Sequence, residues 1–185
     1  MRQTDIFSTP IYYIQTEEKD KKDIESMQRW TLDWKKKDKG VQKTNKGGYH
    51  STTSTDINII PHVKLLRDKL SFLPKFYFQN WWINMQNKGD YNASHNHGGS
   101  DLSFIWYLTD NHNTLVFNKP EYGLTRQRLY LAFKNHKNNP FCIAWNWKCN
   151  AGDIVVFPSD TLHHTESYQG RGNRICIAGN IEVEI

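Results

Sequence analysis

From residue 76 onward the chain breaks into short runs of β-branched and aromatic residues, and this pattern restricts the possible folds most strongly. The runs lie at residues 81–86, 102–108, 114–118, 141–147, 153–158 and 174–181. Turn-rich segments separate them, apart from a longer insertion at 119–140. Short strands with irregular connections favour a β-sandwich or jelly roll. Aromatic residues form 14% of the chain, which suits sheets that pack on aromatic cores.

Two helices are expected in the preceding residues, and they would support the outside of one sheet. Residues 17–37 have helical spacing of apolar residues, and a second helix is expected at 61–73 because Pro61 suits a helix start. The residues expected on their buried faces are Ile24, Met27, Thr31 and Trp34 in the first helix and Val63, Leu66 and Leu70 in the second.

Residues 6–14 predict a further strand, and Pro10 within it indicates a sheet edge. Residues 40–56 are rich in Gly, Thr, Ser and Lys and predict a loop. We expect one domain over 1–185, mainly β with flanking N-terminal helices (α+β). The N-terminal strand and helices would occupy 1–75, and the jelly-roll core would occupy 76–185.

The composition describes a mildly basic protein. Its net charge of +5 and pI near 9.0 permit an anionic partner without requiring one. The three cysteines, Cys142, Cys149 and Cys176, lack Cys-x-x-Cys spacing, so neither a disulfide framework nor a structural zinc site is expected. No signal-peptide core is present in the first residues, and no apolar run approaches membrane-spanning length. A soluble, cytoplasmic protein is therefore expected.

Histidines in two distant segments predict a metal site. His95 and His97 flank one residue, and nearby glycines indicate a turn that lets both rings face one centre. A third imidazole follows a later apolar run, either His163 or His164, because adjacent strand residues point in opposite directions. Neutral imidazoles bind iron(II), zinc and copper. If the segments converge, Arg174 lies one strand further on, where it could hold an anionic co-substrate.

These segments resemble the 2-oxoglutarate/iron(II) oxygenases, and most closely a branch of small bacterial and phage proteins akin to the prolyl 4-hydroxylases. The segments that carry the resemblance are Tyr91-Asn92-Ala93-Ser94-His95-Asn96-His97, 102–108, 152–159, His163, 174–177, Phe7-Ser8-Thr9-Pro10 and Asn45-Lys46-Gly47-Gly48-Tyr49. The resemblance implies a double-stranded β-helix (jelly roll, cupin-like). It also implies a hydroxylase that uses iron(II), 2-oxoglutarate and O₂ and releases succinate and CO₂. Residues 119–150 match no family segment.

The resemblance also implies a set of metal ligands. His95 matches the first ligand and His163 the distal one. His97 stands where most of the superfamily has Asp or Glu, since the usual set is two histidines and one carboxylate. We assign His97 as the third ligand because the His-x-His form is common in this branch, with Asp101 as the fallback carboxylate.

Arg174 matches the residue that binds the distal carboxylate of 2-oxoglutarate, and a guanidinium can hold a carboxylate through two hydrogen bonds. Tyr107 matches a tyrosine that donates to the same carboxylate in prolyl hydroxylases. Asn84 and Gln86 are weaker candidates for co-substrate contacts, and Ser103 is expected to line the pocket. No side chain is expected to act as a catalytic acid, base or nucleophile, since the metal carries the reaction.

The sequence leaves the substrate open among peptidyl proline, a free amino acid and a nucleobase. Aromatic residues that could line its pocket are Trp81, Trp82, Trp106 and Tyr49, together with His50, although core packing explains most of the aromatics equally well. The 119–140 insertion could form a lid. Two other functions stay open: a cupin-like metal protein catalysing isomerisation or hydrolysis, and a non-catalytic binding module. Nucleic acid is not expected as a partner, because the lysines at 35–39 alone do not make a basic groove.

Overall fold

Two antiparallel sheets form the centre of the molecule. The computed structural model describes residues 9–112, 114–119, 124–135 and 144–184. The strands are β1 (Tyr12–Ile14), β2 (Asn45–Lys46), β3 (Tyr49–His50), β4 (Phe76–Gln86), β5 (Tyr91–His95), β6 (Leu102–Tyr107), β7 (Leu115–Asn118), β8 (Ala144–Trp147), β9 (Ile154–Pro158), β10 (His163–Thr165) and β11 (Arg174–Val183). One sheet has the order β1-β9-β6-β11-β4-β3 and the other β2-β5-β10-β7-β8. The α-helices are α1 (Lys21–Lys37), α2 (Val63–Lys69) and α3 (Leu124–Ala132), and short 3₁₀ helices span Glu18–Asp20 and Ile57–Ile59.

The outer face of the six-stranded sheet packs against the N-terminal helices. Successive strand residues point to opposite faces, so Trp81, Ile83 and Met85 of β4 share this side. They join a buried apolar cluster with Met27 of α1 and Leu66 of α2. The predicted helix face is confirmed in α1, where Ile24, Met27 and Thr31 are buried and Trp34 packs against the cluster. The helices therefore support the sheet from outside.

The inner face of the same sheet looks toward the five-stranded sheet. On β11, Cys176 and Ala178 contribute to a second apolar cluster, to which β7 of the opposite sheet contributes Leu115 and Phe117. At the two ends of this inner row, β11 carries the buried polar side chains Arg174 and Asn180. Polar groups are thus placed between two apolar layers, which is where a ligand cavity can form.

The expected mainly β jelly roll with N-terminal helices is confirmed. The predicted runs from residue 81 onward all contain strands, although β4 begins earlier, at Phe76. β1 lies at a sheet edge, as Pro10 indicated, while residues 1–8 lie outside the described part. Residues 141–143 also lie outside it. The division of one domain at residue 75 stays a prediction.

Two predictions on local structure were wrong. Residues 40–56 contain strands β2 and β3 rather than only a loop, and β5 occupies much of the segment predicted to be a turn. Strand β10 had not been predicted either. These short strands are polar in sequence, and they form because their backbones pair with neighbours: β2 and β10 both pair with β5.

The described part of the 119–140 insertion contains helix α3. The prediction that this insertion forms a lid stays a prediction. Cys149 and Cys176 are buried free thiols, whereas Cys142 lies outside the described residues. Among the residues that the structure describes, none of the helices combines the length and apolar character needed to cross a bilayer.

Candidate metal and co-substrate site

Three histidines converge between the two sheets. His95 ends β5, His97 follows two residues later, and His163 begins β10. Because β10 pairs antiparallel with β5, the Cα atoms of His163 and His95 are register partners. His97 is two residues beyond His95, and side chains two residues apart in an extended backbone face the same side. The chain therefore brings all three rings to one side.

The three imidazoles are close enough to share one ion. One ring nitrogen from each lies within 4.8 Å of the others. The ring centroids of His95 and His163 are 4.4 Å apart, and each lies 5.1 Å from that of His97. At metal–nitrogen distances of about 2.0–2.1 Å, two nitrogens on one ion are at most about 4.2 Å apart, so a movement of a few tenths of an ångström brings donors at the 4.8 Å limit onto one ion.

Hydrogen bonds fix which ring nitrogen faces the centre. His95 Nδ1 donates to the Ala93 carbonyl at 2.7 Å, and His163 Nδ1 donates to the Thr161 carbonyl at 2.9 Å. His97 Nδ1 donates to Asn180 Oδ1 at 2.8 Å. A carbonyl or amide oxygen can only accept, so each neutral ring carries its proton on Nδ1. The Nε2 lone pairs are left for a metal ion, and the donor set fits one.

A chain of polar side chains holds His97. Asn180 Oδ1 accepts from His97 Nδ1 and also from Ser103 Oγ at 2.9 Å. The other atom of that amide, Nδ2, donates to Asn80 Oδ1 at 3.0 Å, and the Asn80 amide donates to Gln79 at 3.3 Å. With donors on one side and an acceptor on the other, the Asn180 amide has one favourable orientation. It therefore presents its oxygen to His97.

The histidines are held neutral by their surroundings. Burial, together with the neighbouring His95, lowers the pKa of His163 to about 3. Burial also lowers the pKa values of His95 and His97. A protonated imidazole cannot bind a metal ion, so this environment favours the form that does.

Arg174 is a buried cation without a partner acid among the described residues. Only 2% of its surface is exposed, its Nη1 donates to Thr114 Oγ1 at 3.1 Å, and its buried Nε has no hydrogen-bond partner. Its guanidinium carbon lies 5.9 Å from the centre of the Tyr107 ring. A buried charge is costly unless an opposite charge and hydrogen bonds compensate it. The position suits an incoming carboxylate.

Other unpartnered polar atoms surround Arg174. The Tyr107 hydroxyl and Asn84 Oδ1 are buried without a hydrogen bond to any described residue, and burial raises the pKa of Tyr107, so that its hydroxyl keeps its proton. Tyr107, Asn84, Arg174 and the three histidines line one cavity of about 260 Å³. Natively buried polar groups are nearly always bonded, so several orphans at one place indicate a site for a polar ligand.

Two predicted co-substrate residues lie behind the cavity wall. Gln86 Nε2 donates to Asn92 and Thr165, and Gln86 is the Cα register partner of Arg174. Ser103 hydrogen-bonds to Asn180, and to Ser159 at 2.8 Å. Neither Gln86 nor Ser103 is among the cavity-lining residues.

The competing ligands have other partners. His164 Nδ1 accepts a hydrogen bond of 2.8 Å from Asn118 Nδ2, and His164 is outside the histidine cluster. Asp101 Oδ2 accepts from the Val183 backbone, so this carboxylate ties β11 to the loop before β6. Of the remaining histidines, His50 lines the cavity, while His136 lies outside the described residues. The structure thus groups His163 with His95 and His97.

Sequence reasoning missed Asn180 and left open whether the tryptophans line the pocket or pack in the core. Trp81 and Trp106 belong to the helix-side core, and only Trp82 of the three lines the cavity. The period-2 pattern of β4 separates Trp81 from Trp82, but the sequence does not say which face the helices cover. No local signal marks Asn180, because its partner His97 is remote in the chain.

The comparisons with known proteins agree with this geometry. A family model for 2OG-Fe(II) oxygenases matches residues 80–180. No curated protein matches the chain in sequence.

Three solved structures illustrate the fold. HygX from Streptomyces hygroscopicus, solved with nickel and 2-oxoglutarate bound, is 13% identical over 95% of this chain and 83% of its own, with a TM-score of 0.62. The viral collagen prolyl hydroxylase vCPH from Paramecium bursaria Chlorella virus-1, a 2OG complex, is 12% identical over 94% and 96%, with a TM-score of 0.60. A prolyl-4-hydroxylase from Pseudomonas putida is 11% identical over 96% and 94%, with a TM-score of 0.59.

At these identities the structural likeness establishes the fold, a double-stranded β-helix. The family match covers more than half of the chain, including all three clustered histidines and Arg174. The chain therefore belongs to the 2OG-Fe(II) oxygenase family, whose members are iron(II)- and 2-oxoglutarate-dependent enzymes.

Proposed function

We propose that this oxygenase holds iron(II) through His95, His97 and His163. The support is their convergence within 4.8 Å and the three Nδ1 hydrogen bonds that direct Nε2 to a common centre. Three neutral ligands leave the ion its double positive charge, which favours a dianionic chelator at the open positions. Such a set therefore complements 2-oxoglutarate.

Arg174 binds the distal carboxylate of 2-oxoglutarate in this proposal. The single observation that carries it is the state of the buried Arg174 guanidinium. Among the described residues it has no acidic partner and no hydrogen bond at Nε, and it lines the same cavity as the three histidines. Tyr107 donates its hydroxyl hydrogen to the same carboxylate, and Asn84 contacts the co-substrate through its amide. Gln86 and Ser103 do not line the cavity and act indirectly. Gln86 positions Asn92 through a hydrogen bond, and Ser103 positions Asn180 in the same way.

The proposed reaction is hydroxylation of a C–H bond in a small molecule or a peptide. Iron(II) with 2-oxoglutarate and O₂ supplies the oxidising chemistry, yielding succinate and CO₂. The protein contributes binding and orientation and excludes water from the buried end of the cavity. Prolyl hydroxylases among the structural neighbours support a small molecule or a peptide as the substrate. We also propose a cytoplasmic location, in keeping with the buried free thiols Cys149 and Cys176.

The test is an anaerobic titration of the metal-free protein with iron(II) and then 2-oxoglutarate. The visible absorption band of the iron–2-oxoglutarate complex should appear, and succinate should form once O₂ is admitted. In Arg174→Ala the band should require far more 2-oxoglutarate, while iron(II) binding stays unchanged. A circular dichroism spectrum verifies that the variant is folded.

Each negative result would reject a specific part of the proposal. If iron(II) binds and no band forms at saturating 2-oxoglutarate, the proposed co-substrate site is wrong. A cupin-like metal protein would then be the better description. If no metal binds, the histidine cluster has another role.

A further inference from the structure

Part of the cavity is used by neither the proposed metal site nor the proposed co-substrate site. Its wall carries His50 of β3 and Trp82 of β4, and its rim carries Lys43, Thr44 and Thr53. His50 is buried, whereas Trp82 keeps part of its ring accessible. We call His50 and Trp82 together the aromatic wall, and Lys43 lies at its rim.

The aromatic wall consists of two parallel stacked rings beside a proposed metal ligand. The rings of His50 and Trp82 stack with centroids 5.6 Å apart and planes 7° apart. The Trp82 ring also lies 5.2 Å from the ring of His97. A molecule resting on Trp82 is therefore beside the metal centre. Flat or cyclic carbon skeletons bury apolar area efficiently on such a surface.

Several polar atoms at this end make no hydrogen bond within the described residues. Within the described residues, Trp82 Nε1 makes no hydrogen bond, and neither do the Thr44 and Thr53 hydroxyls. His50 Nδ1 donates to the Ser51 carbonyl at 2.8 Å, so its ring is locked in place. Trp82 Nε1 can only donate and the two hydroxyls can donate or accept, so this end can hydrogen-bond an acceptor group of a ligand.

The charge at the rim is positive and unopposed. No Asp or Glu is among the described residues that line the cavity, and its cations are Arg174 and Lys43. Arg174 is occupied in the proposed co-substrate complex. Lys43 is exposed and forms no ion pair with any residue in the described part of the chain. Lys43 lines the same cavity as His50 and Trp82.

The size of the space limits the ligand. A cavity of about 260 Å³ is below the ~300–1,000 Å³ typical of drug-sized ligands, and it must also accept 2-oxoglutarate. A small substrate fits what remains.

We infer that the primary substrate is a small organic anion whose flat or cyclic skeleton packs on Trp82 and whose anionic group contacts Lys43. This inference rests on the proposed function, because it places the substrate beside the proposed metal centre. It selects a free acid over a peptide-linked residue, since a peptide bond replaces the carboxylate that Lys43 would bind.

The experiment compares matched anionic and neutral probes on protein loaded with nickel(II) and 2-oxoglutarate, which prevents turnover. The probes are N-acetyl-L-proline against N-acetyl-L-prolinamide, and benzoate against benzamide, measured by calorimetric titration. Each acid should bind about fivefold more tightly than its amide, close to the largest contribution of one solvent-exposed ion pair. The preference should shrink at high salt, because the ion pair is exposed.

Variants identify the groups responsible. Lys43→Gln should abolish the preference for the acids, and Lys43→Arg should keep it. Lys46→Gln, on the neighbouring strand β2 and outside the cavity-lining set, is the matched control and should keep it as well. Trp82→Ala should weaken acid and amide alike.

Three outcomes overturn the inference: equal binding of acid and amide, tighter binding of the amides, or a preference that survives Lys43→Gln. Failure of every probe to bind also overturns it, because the wall should accept these skeletons. The proposed function is judged separately, by whether the iron–2-oxoglutarate band forms without any probe. A band without acid preference leaves the proposed function standing and rejects only the small-anion substrate.

Discussion

His97 Nδ1 and Asn180 Oδ1 are joined by a 2.8 Å hydrogen bond, although the two residues are 83 positions apart in the chain. The bond fixes the ring of the histidine that we propose in place of the usual carboxylate ligand. An outer hydrogen bond of this kind orients a ligand and sets which nitrogen carries the proton. Asn180 is therefore expected to control metal affinity without touching the metal.

Replacing Asn180 by Leu should weaken iron(II) or zinc binding by about 10- to 100-fold, the usual effect of losing such a partner. The reason is that His97 loses its main acceptor and its ring can turn. Competition with a chromophoric chelator measures the affinity. Asn180→Asp keeps an acceptor and should bind metal better than Asn180→Leu, while Asn146→Leu, at an exposed strand position, is the control. Wild-type affinity in Asn180→Leu would remove Asn180 from this role.

Replacing Arg174 by Met should separate stability from co-substrate binding. The affinity for 2-oxoglutarate should fall by roughly 10- to 100-fold, because charged hydrogen bonds contribute about 1.5–3 kcal/mol. The free energy of unfolding of the metal-free protein should stay level or rise, since a buried and unpaired cation has been removed. Calorimetric titration and urea unfolding measure the two quantities. Arg171→Met, at an exposed loop position, should change neither. A large loss of stability without loss of affinity would argue for a structural arginine.

Metal ions should stabilise the fold only through the clustered histidines. A metal that binds the folded state alone adds about 2.7 kcal/mol at one hundred times its Kd. Nickel(II) or zinc should therefore raise the Tm of the wild type, and a chelator should reverse the increase. Single alanine substitutions of His95, His97 or His163 should remove the effect. His164→Ala should retain it, and the reverse pattern would exchange the assignment of the two adjacent histidines.

The stability of the metal-free protein should fall as the pH decreases from about 6.5 toward 3. The unfolded chain takes up protons on histidine near pH 6.5, whereas His163 in the fold resists protonation down to about 3. In that window the unfolded state binds more protons, so the free energy of unfolding rises with pH. The slope from His163 is at most about 1.4 kcal/mol per pH unit.

Urea unfolding between pH 7 and pH 4, in the presence of a chelator, measures this slope. His163→Gln should make it shallower, and His112→Gln, at an exposed position, provides the comparison. An unchanged slope in His163→Gln would mean that its imidazole is not held neutral by burial.

The sequence alone was enough to predict the type of fold and most of the chemical groups at the site. Apolar and β-branched residues form short runs in the later strands, and Ile24, Met27 and Thr31 recur at helical spacing, so local sequence patterns determined both element types. His95 and His97 lie so close in the chain that their proximity needs little tertiary information. Short polar strands such as β2 and β10 contain no run of apolar residues, so the sequence pattern did not reveal them.

The tertiary structure decided which distant groups meet. Pairing of β10 with β5 brings His163 rather than His164 to the cluster, and pairing of β11 with β4 places Asn180 beside Asn80 and within reach of His97. The position of the helices decided that Trp81 is core and Trp82 faces the cavity. The physical reason is that strand register and the choice of buried face depend on contacts between segments far apart in the chain, whereas periodicity is local.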